Sequence, residues 1–479
     1  MSANYLHGVE TQRVDKSPRA VQVVKSAVIA LIGCAPTGPV NDSTLCLTEN
    51  DGAAFGPMLP GFNIPDTLDA IYDQGTGTVI VINVLDPIVH KTQVNDEPAT
   101  FDASTGRLKT AKPAIAGLVV KSNDGSKTYT VDTDYTVKPL TGEIVRVASG
   151  TIPVGATAVK LSYSYADPSK VTPADLIGAI DGLTGKKTGM KLLPDTYQRF
   201  GFFPKILIAP GYASLASVSA ELIAWEEKLS AKALIDAPIG TTRDQAVAMR
   251  GPTVPNSPFN TSSRGAILCY PHVKVYDAAT DSTKLQPLSA RLAGVMAAKD
   301  MDKGYWWSPS NTEIKGIVGM ELDLSARIDD AQSDVNLLNA AGIVTVFNSF
   351  GSGFRIWGNR NANFPSETGL TTFISVTRTQ DIIDESIRYF SLQYMDRPFG
   401  QALIDAIVES VCQFMRKLKG DGAILDGVCW YDPARQTETE LANGHAVFSY
   451  KFTPPPPFER GTYESELTSE YLVNLKGGN

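Results

Sequence analysis

Thr78-Val79-Ile80-Val81-Ile82-Asn83-Val84 is apolar on both faces of an extended backbone. A strand of that kind must be covered on each side, which points to a parallel strand in a sheet with helices on both faces. The same signal recurs at residues 205–209, 233–235, 266–270 and 343–347. Helical periodicity lies between these runs. It appears at 66–74, with Leu68, Ile71 and Tyr72 on one side, and again near 215–230, 288–302 and 328–340. Strand and helix in alternation predict an α/β core with a mixed, largely parallel sheet and flanking helices. Val21-Gln22-Val23-Val24 and residues 27–32 read as further buried β segments, ended by Gly33 and the Pro36-Thr37-Gly38-Pro39 turn.

Residues 91–170 break the rhythm. Leu118-Val119-Val120, Tyr129-Thr130-Val131, Tyr135-Thr136-Val137 and Ile144-Val145-Arg146-Val147 are short segments separated by turn chemistry such as Asn123-Asp124-Gly125. Val159, Leu161, Tyr163 and Tyr165 then alternate at period two. An inserted antiparallel all-β domain is expected here, with no helix. Further on, two helices are predicted at 381–394 and 401–419, separated by Asp396-Arg397-Pro398-Phe399-Gly400. The second has a broad apolar stripe from Leu403 to Leu418 and a basic end, Arg416, Lys417 and Lys419, closed by Gly420. A strand at 446–452 completes an α+β C-terminal domain. The expected layout is an N-terminal arm (1–20), an α/β domain in two parts (21–90 and 171–350) around the insertion (91–170), the C-terminal domain (351–453) and a C-terminal arm (454–479).

Charge and chemistry narrow the function classes. Net charge is −8, so no global basic field draws nucleic acid or anionic lipid. The apolar run at 27–32 is far short of a membrane span, and the first residues lack the basic and apolar regions of a secretory signal. Cys34, Cys46, Cys269, Cys412 and Cys429 form no CxxC spacing and are expected to be reduced, mostly buried thiols of a cytosolic product. His7, His90, His272 and His445 are scattered, with none at metal-ligand spacing. Gly182-Leu183-Thr184-Gly185-Lys186-Lys187-Thr188-Gly189 fails the phosphate-loop spacing and reads as a flexible linker. Gly351-Ser352-Gly353-Phe354-Arg355-Ile356-Trp357-Gly358 misplaces the third glycine of a dinucleotide fingerprint and reads as a bend between strands. Asp300, Asp302, Asp329 and Asp330 read as solvated or dipole-directed carboxylates at helix ends and on polar faces. No catalytic residue, cofactor site or metal site is expected, and the chain reads as a non-enzyme.

The two ends constrain function most. Val9, Thr11 and Arg13 alternate weakly, as a single extended strand would, in a segment with little else to pack. At the other end Pro454-Pro455-Pro456-Pro457 forms a stiff spacer of about 12 Å at roughly 3.1 Å per residue. It leads to a compact strand at Tyr471-Leu472-Val473-Asn474-Leu475 that has no partner nearby in sequence. An isolated tethered strand leaves a ladder of unpaired N–H and C=O groups, and pairing with another subunit's sheet edge satisfies them. Strands donated at both ends repeat head to tail without closing, which gives an open helical polymer.

In this order of elements the sequence resembles the tail sheath proteins of contractile bacteriophages. The likeness rests on residues 7–10 and 27–38, on Pro287-Leu288-Ser289-Ala290-Arg291-Leu292-Ala293-Gly294-Val295-Met296-Ala297, and on Gly304-Tyr305-Trp306-Trp307-Ser308-Pro309-Ser310-Asn311. It rests also on Phe354-Arg355-Ile356-Trp357-Gly358-Asn359-Arg360 and the paired helices around Arg397-Pro398-Phe399. The resemblance implies stacked rings of subunits around an inner tail tube, linked by terminal arms to neighbouring sheets. It implies a C-terminal domain innermost, inserted domains outward, and contraction that drives the tube through the host envelope. Implied partners are further copies of the chain, the inner tube protein, and the baseplate and tail terminator proteins, with no nucleic acid and no membrane. The implied location is the virion tail, assembled in the bacterial cytoplasm. Carried onto this chain, Val9, Thr11, Arg13, Tyr471, Leu472, Val473 and Leu475 are the arm strands, and Arg416, Lys417 and Lys419 are candidates to face the tube. The sheath of a headless, tailocin-like injection device is the alternative within the class. A nucleotide-binding α/β enzyme is the alternative outside it.

Overall fold

The computed structural model describes residues 21–472 except positions 76, 279, 328, 349, 350 and 352. The apolar runs become six parallel strands: β1 (Val28–Gly33), β2 (Thr78–Asn83), β3 (Ile206–Ile208), β4 (Lys232–Asp236), β5 (Ala266–Cys269) and β6 (Ile343–Asn348). They lie in the order β2-β1-β3-β4-β5-β6. Antiparallel strands complete a nine-stranded sheet: Ser43–Cys46 beside β2, and Phe354–Trp357 then Thr312–Glu313 beyond β6.

Alternate side chains of each parallel strand enter different cores. Ala30, Ile32, Ile82, Leu207 and Ile235 pack on one face with α2 (Ala216–Leu229), after α1 (Asn63–Tyr72) in chain order. Ile29, Leu31, Val81, Ile208 and Leu234 pack on the other face with α1 and α3 (Leu288–Asp302). Double burial is why these strands were readable as continuous apolar runs. Helix α3 is buried from Leu288 through Ala297, and a Cβ on Gly294 would meet the Ile71 carbonyl oxygen at 2.9 Å. Glycine there lets α1 and α3 approach closely.

Residues 91–166 form two small antiparallel sheets, one of four strands and one of three, around Phe101, Val120, Ile144, Val159, Leu161 and Tyr163. The last part of the chain packs α4 (Ile374–Ser391), α5 (Gln401–Asp421) and a ribbon of β7 (Asp426–Tyr431) and β8 (Phe448–Thr453) around Ile383, Val411, Phe414, Met415 and Leu418.

Several local readings differ from the structure for identifiable reasons. Helix α4 begins at Ile374, earlier than expected, because Thr377 and Thr379 turn their hydroxyls onto the helix's own carbonyls and can be buried. Helix α5 runs through Gly420 and is closed by Gly422, whose φ of 81° suits a left-handed cap. Residues 21–24 form no strand; Val21 is buried in the α4–α5 core, and the Val24 N–H donates to Ser386 Oγ at 3.2 Å. Residues 180–187 form a tight turn, not a free linker, because Asp181 Oδ1 accepts the Leu183 and Thr184 amides and Ile180 bridges Lys187.

Candidate assembly interface

The β2-β1-β3 order creates the kind of crevice at strand carboxyl ends where open α/β sheets hold ligands. Here the chain's own amides fill it. Asn63 accepts the Cys34 N–H at 2.7 Å and donates to the Pro210 carbonyl, while Asn83 accepts the Ala35 and Leu85 amides. Cys34 Sγ lies 3.0 Å from the Tyr212 hydroxyl, and burial pushes the thiol up to about 11. A nucleotide would have to displace this network.

Charges make the joint at the opposite end of the sheet, where α4 meets the starts of β3 and β4. Lys232 Nζ reaches Asp381 Oδ2 at 2.8 Å, and Lys205 pairs with Glu385 while donating to the Leu229 carbonyl at 2.8 Å. Arg378 grips Asp300 of α3 through two hydrogen bonds of 2.7 and 2.5 Å. All six side chains are less than a tenth exposed. Burial lowers the Lys205 ammonium's pKa, and the Glu385 carboxylate opposes that shift. Such pairs add little net stability over apolar packing, but losing one partner is costly, so they fix how α4 sits. Asp300 is therefore not a solvated carboxylate: its partner is far off in sequence and brought to it by the fold. The available signal was the spacing of Arg378, Asp381 and Glu385, which puts three charges on one helical face.

The β7–β8 ribbon pairs in register from Asp426↔Thr453 to Tyr431↔Phe448. Its inner face meets α4 and α5, and the Tyr450 hydroxyl donates to Asp384 at 2.6 Å. No third strand pairs with either edge among the described residues. The Cys429 amide finds only a weak acceptor, Cys412 Sγ at 3.3 Å. A ribbon edge with no paired strand is what a donated strand needs, although the β7 edge is partly taken by Cys412 at Cys429 and by Asp426 at the Gly427 amide.

The C-terminal arm leaves directly from β8. Pro454 is buried, and residues 455–461 form one side of a groove of about 900 Å³ whose opposite side carries Trp306, Trp307, Trp357 and Arg360. Beyond Glu459 the chain is exposed at Tyr463, Leu467, Tyr471 and Leu472. Tyr471 and Leu472 lie in a single helical turn, closed by the Leu472 N–H to Ser469 O at 3.0 Å, rather than in a strand. With no neighbouring edge beside it, the backbone bonds locally. Val9, Thr11, Arg13, Val473 and Leu475 lie outside the described residues.

Arg416, Lys417 and Lys419 are exposed near the end of α5. Arg416 pairs with Glu409, Lys419 Nζ lies 3.2 Å from Asp426, and Lys417 has no ion-pair partner among the described residues. Two of the three are thus partly neutralised locally. Sequence reading missed the partners because Asp426 belongs to a strand not expected there.

Residues 185–362 match the phage tail sheath protein central domain, and residues 367–468 match the phage tail sheath C-terminal domain. The chain belongs to the phage tail sheath family. A tail sheath protein of Burkholderia phage BcepMu is 59% identical over 479 residues, covering 100% of both chains. The tail sheath protein of Escherichia phage P2 is 26% identical, over 78% of this chain and 95% of its own. Among solved structures, the anti-feeding prophage helical sheath in the contracted state gives a TM-score of 0.59 at 16% identity, covering 97% of this chain and 99% of that one. The sheath complex of an extracellular contractile injection system in the contracted state gives 0.58 at 13% identity, covering 98% and 99%. At those identities the likeness is one of fold. Residues 88–174, which contain the inserted strands, match a separate family model described as a protein of unknown function. In this chain the Trp357-Gly358-Asn359-Arg360 element supplies Arg360 to the groove beneath the arm, a structural use the motif alone did not disclose.

Proposed function

We propose that this protein is the structural subunit of a contractile tail sheath, which polymerises by strand exchange around an inner tube and contracts to drive the tube through the host envelope. The β7–β8 ribbon carries the reading: a two-stranded sheet with no third strand among the described residues sits beside the point where the C-terminal arm leaves the domain. In the polymer, Val9, Thr11 and Arg13 of one arm and Tyr471, Leu472, Val473 and Leu475 of the other extend as strands on neighbouring ribbons. The inserted all-β domain faces outward and the α4–α5 domain inward, with Arg416, Lys417 and Lys419 towards the tube. The tube, the baseplate and the tail terminator are its partners, and the virion tail, built in the bacterial cytoplasm, is its location. The full-length 59% identity to a phage tail sheath protein supports a phage tail. The fold likeness to injection-system sheaths leaves the headless device compatible.

Each ladder hydrogen bond contributes about 0.5–1.5 kcal/mol net, so a five-residue strand contributes a few kcal/mol, much of it offset by the entropy of ordering the arm. The arms therefore supply connectivity more than affinity. Contraction then switches folded subunits between two packings with no nucleotide consumed. Deleting residues 465–479 should leave a folded monomer that forms no tubes by electron microscopy. Tubes from the truncated chain would refute the arm hypothesis.

A further inference from the structure

The guanidinium of Arg360 is built as a receptor for a carboxylate before the arm reaches it. The charge lies 3.8 Å from the Phe373 ring centroid and 4.7 Å from that of Phe364. Nη1 donates to Thr372 Oγ1, and the Arg360 backbone bridges that of Phe373. Two nitrogens remain, pointing at the arm. Nε donates to Glu459 Oε1 at 3.0 Å and Nη2 donates to Glu459 Oε2. A two-pronged guanidinium–carboxylate contact fixes direction as well as position. The arginine side chain is 16% exposed and the glutamate 42%, so the pair is half-screened and can open.

We infer that Arg360 and Glu459 form a clasp that sets where the C-terminal arm pivots. The inference rests on the sheath reading for its purpose, though not for its chemistry. Closed, the clasp holds residues 454–459 against the body, and the arm swings from Glu459. Open, the anchor retreats to buried Pro454, where the polyproline run begins. The pivot then moves by roughly five residues, about 15 Å at roughly 3.1 Å per residue, because a polyproline stretch cannot shorten by coiling. One ion pair thus gives the arm two working lengths. A lattice that widens while its subunits stay tied needs such slack. The groove beneath residues 455–461 leaves the strap free to lift without unpacking the core.

Chymotrypsin cleavage after Tyr463, an exposed residue just beyond the clasp, reads the strap in the unassembled full-length chain. Mass spectrometry follows release of residues 464–479. Glu459→Arg should raise that rate about fivefold, and Glu459→Gln should raise it less, as loss of a half-exposed ion pair requires. Arg460→Glu, a charge change of equal size and opposite sign on the neighbouring residue outside the clasp, should leave it unchanged. A Glu459→Arg rate equal to that of the unaltered chain overturns the clasp. So does an Arg460→Glu rate lowered by as large a factor as Glu459→Arg raises it, which would reduce the effect to arm charge. Because the rate is measured before assembly, it stands apart from whether the truncated arm abolishes tubes.

Discussion

Arg378 and Asp300 offer the sharpest test of how the C-terminal helices are held to the sheet. Replacing Arg378 with Met removes two charge-assisted hydrogen bonds, of 2.7 and 2.5 Å, and leaves a carboxylate that is 1% exposed without its partner. Breaking a buried pair from one side costs about 3–5 kcal/mol, chiefly for the stranded charge. At about 2–4 °C per kcal/mol for a cooperative unit of about 150–250 residues, the melting temperature of the domain that holds this joint should fall by about 6–20 °C. The double change Arg378→Met with Asp300→Leu removes both charges and should recover most of the loss. Differential scanning calorimetry of the dilute full-length chain at neutral pH measures each variant. A single variant within about 1 kcal/mol of the parent would show that water or rearrangement solvates Asp300, and that the joint is held by packing.

Further predictions follow from buried groups elsewhere. Burial raises the pKa of Asp236 despite the nearby His272 and the bonds from Ser289, so between the ordinary carboxylate value and the raised one the folded chain binds a proton there that the unfolded chain releases. Stability from this group is full below the ordinary carboxylate value and is lost as pH rises through the elevated one. Asp236→Asn should therefore raise the melting temperature relative to the parent more at pH 8 than at pH 5; an equal offset at both would refute the assignment. Burial pushes the thiols of Cys34, Cys46 and Cys429 up to about 11 and raises that of Cys269. A thiol reagent at pH 8 should thus react slowly with those four in the native chain and reach all five cysteines only in denaturant.

The parallel strands were legible because both their faces are buried, so composition alone marks them. The short alternating strands of 91–166 were legible for the complementary reason, having one wet face each. What sequence could not supply was partnership. Lys205 and Lys232 look like ordinary charges at strand starts until α4 brings Glu385 and Asp381 to them. Arg360 looks like part of a motif until Glu459 arrives from the arm. Tyr471 and Leu472 fit a strand by residue type, yet β-propensity needs a partner edge, and a lone chain offers none. Arg416 and Lys419 read as a basic helix end, and their acidic partners Glu409 and Asp426 were not foreseen because they lie in another turn and another element.

The occupied crevice beside β1 has a mechanical consequence. A molecular motor that cycles needs somewhere to load fuel and release the spent product, and here Asn63, Asn83 and Tyr212 already hold that place. In the sheath proposed above, work would then be laid down once, as subunits assemble, like tension wound into a spring, and resetting it would mean building another.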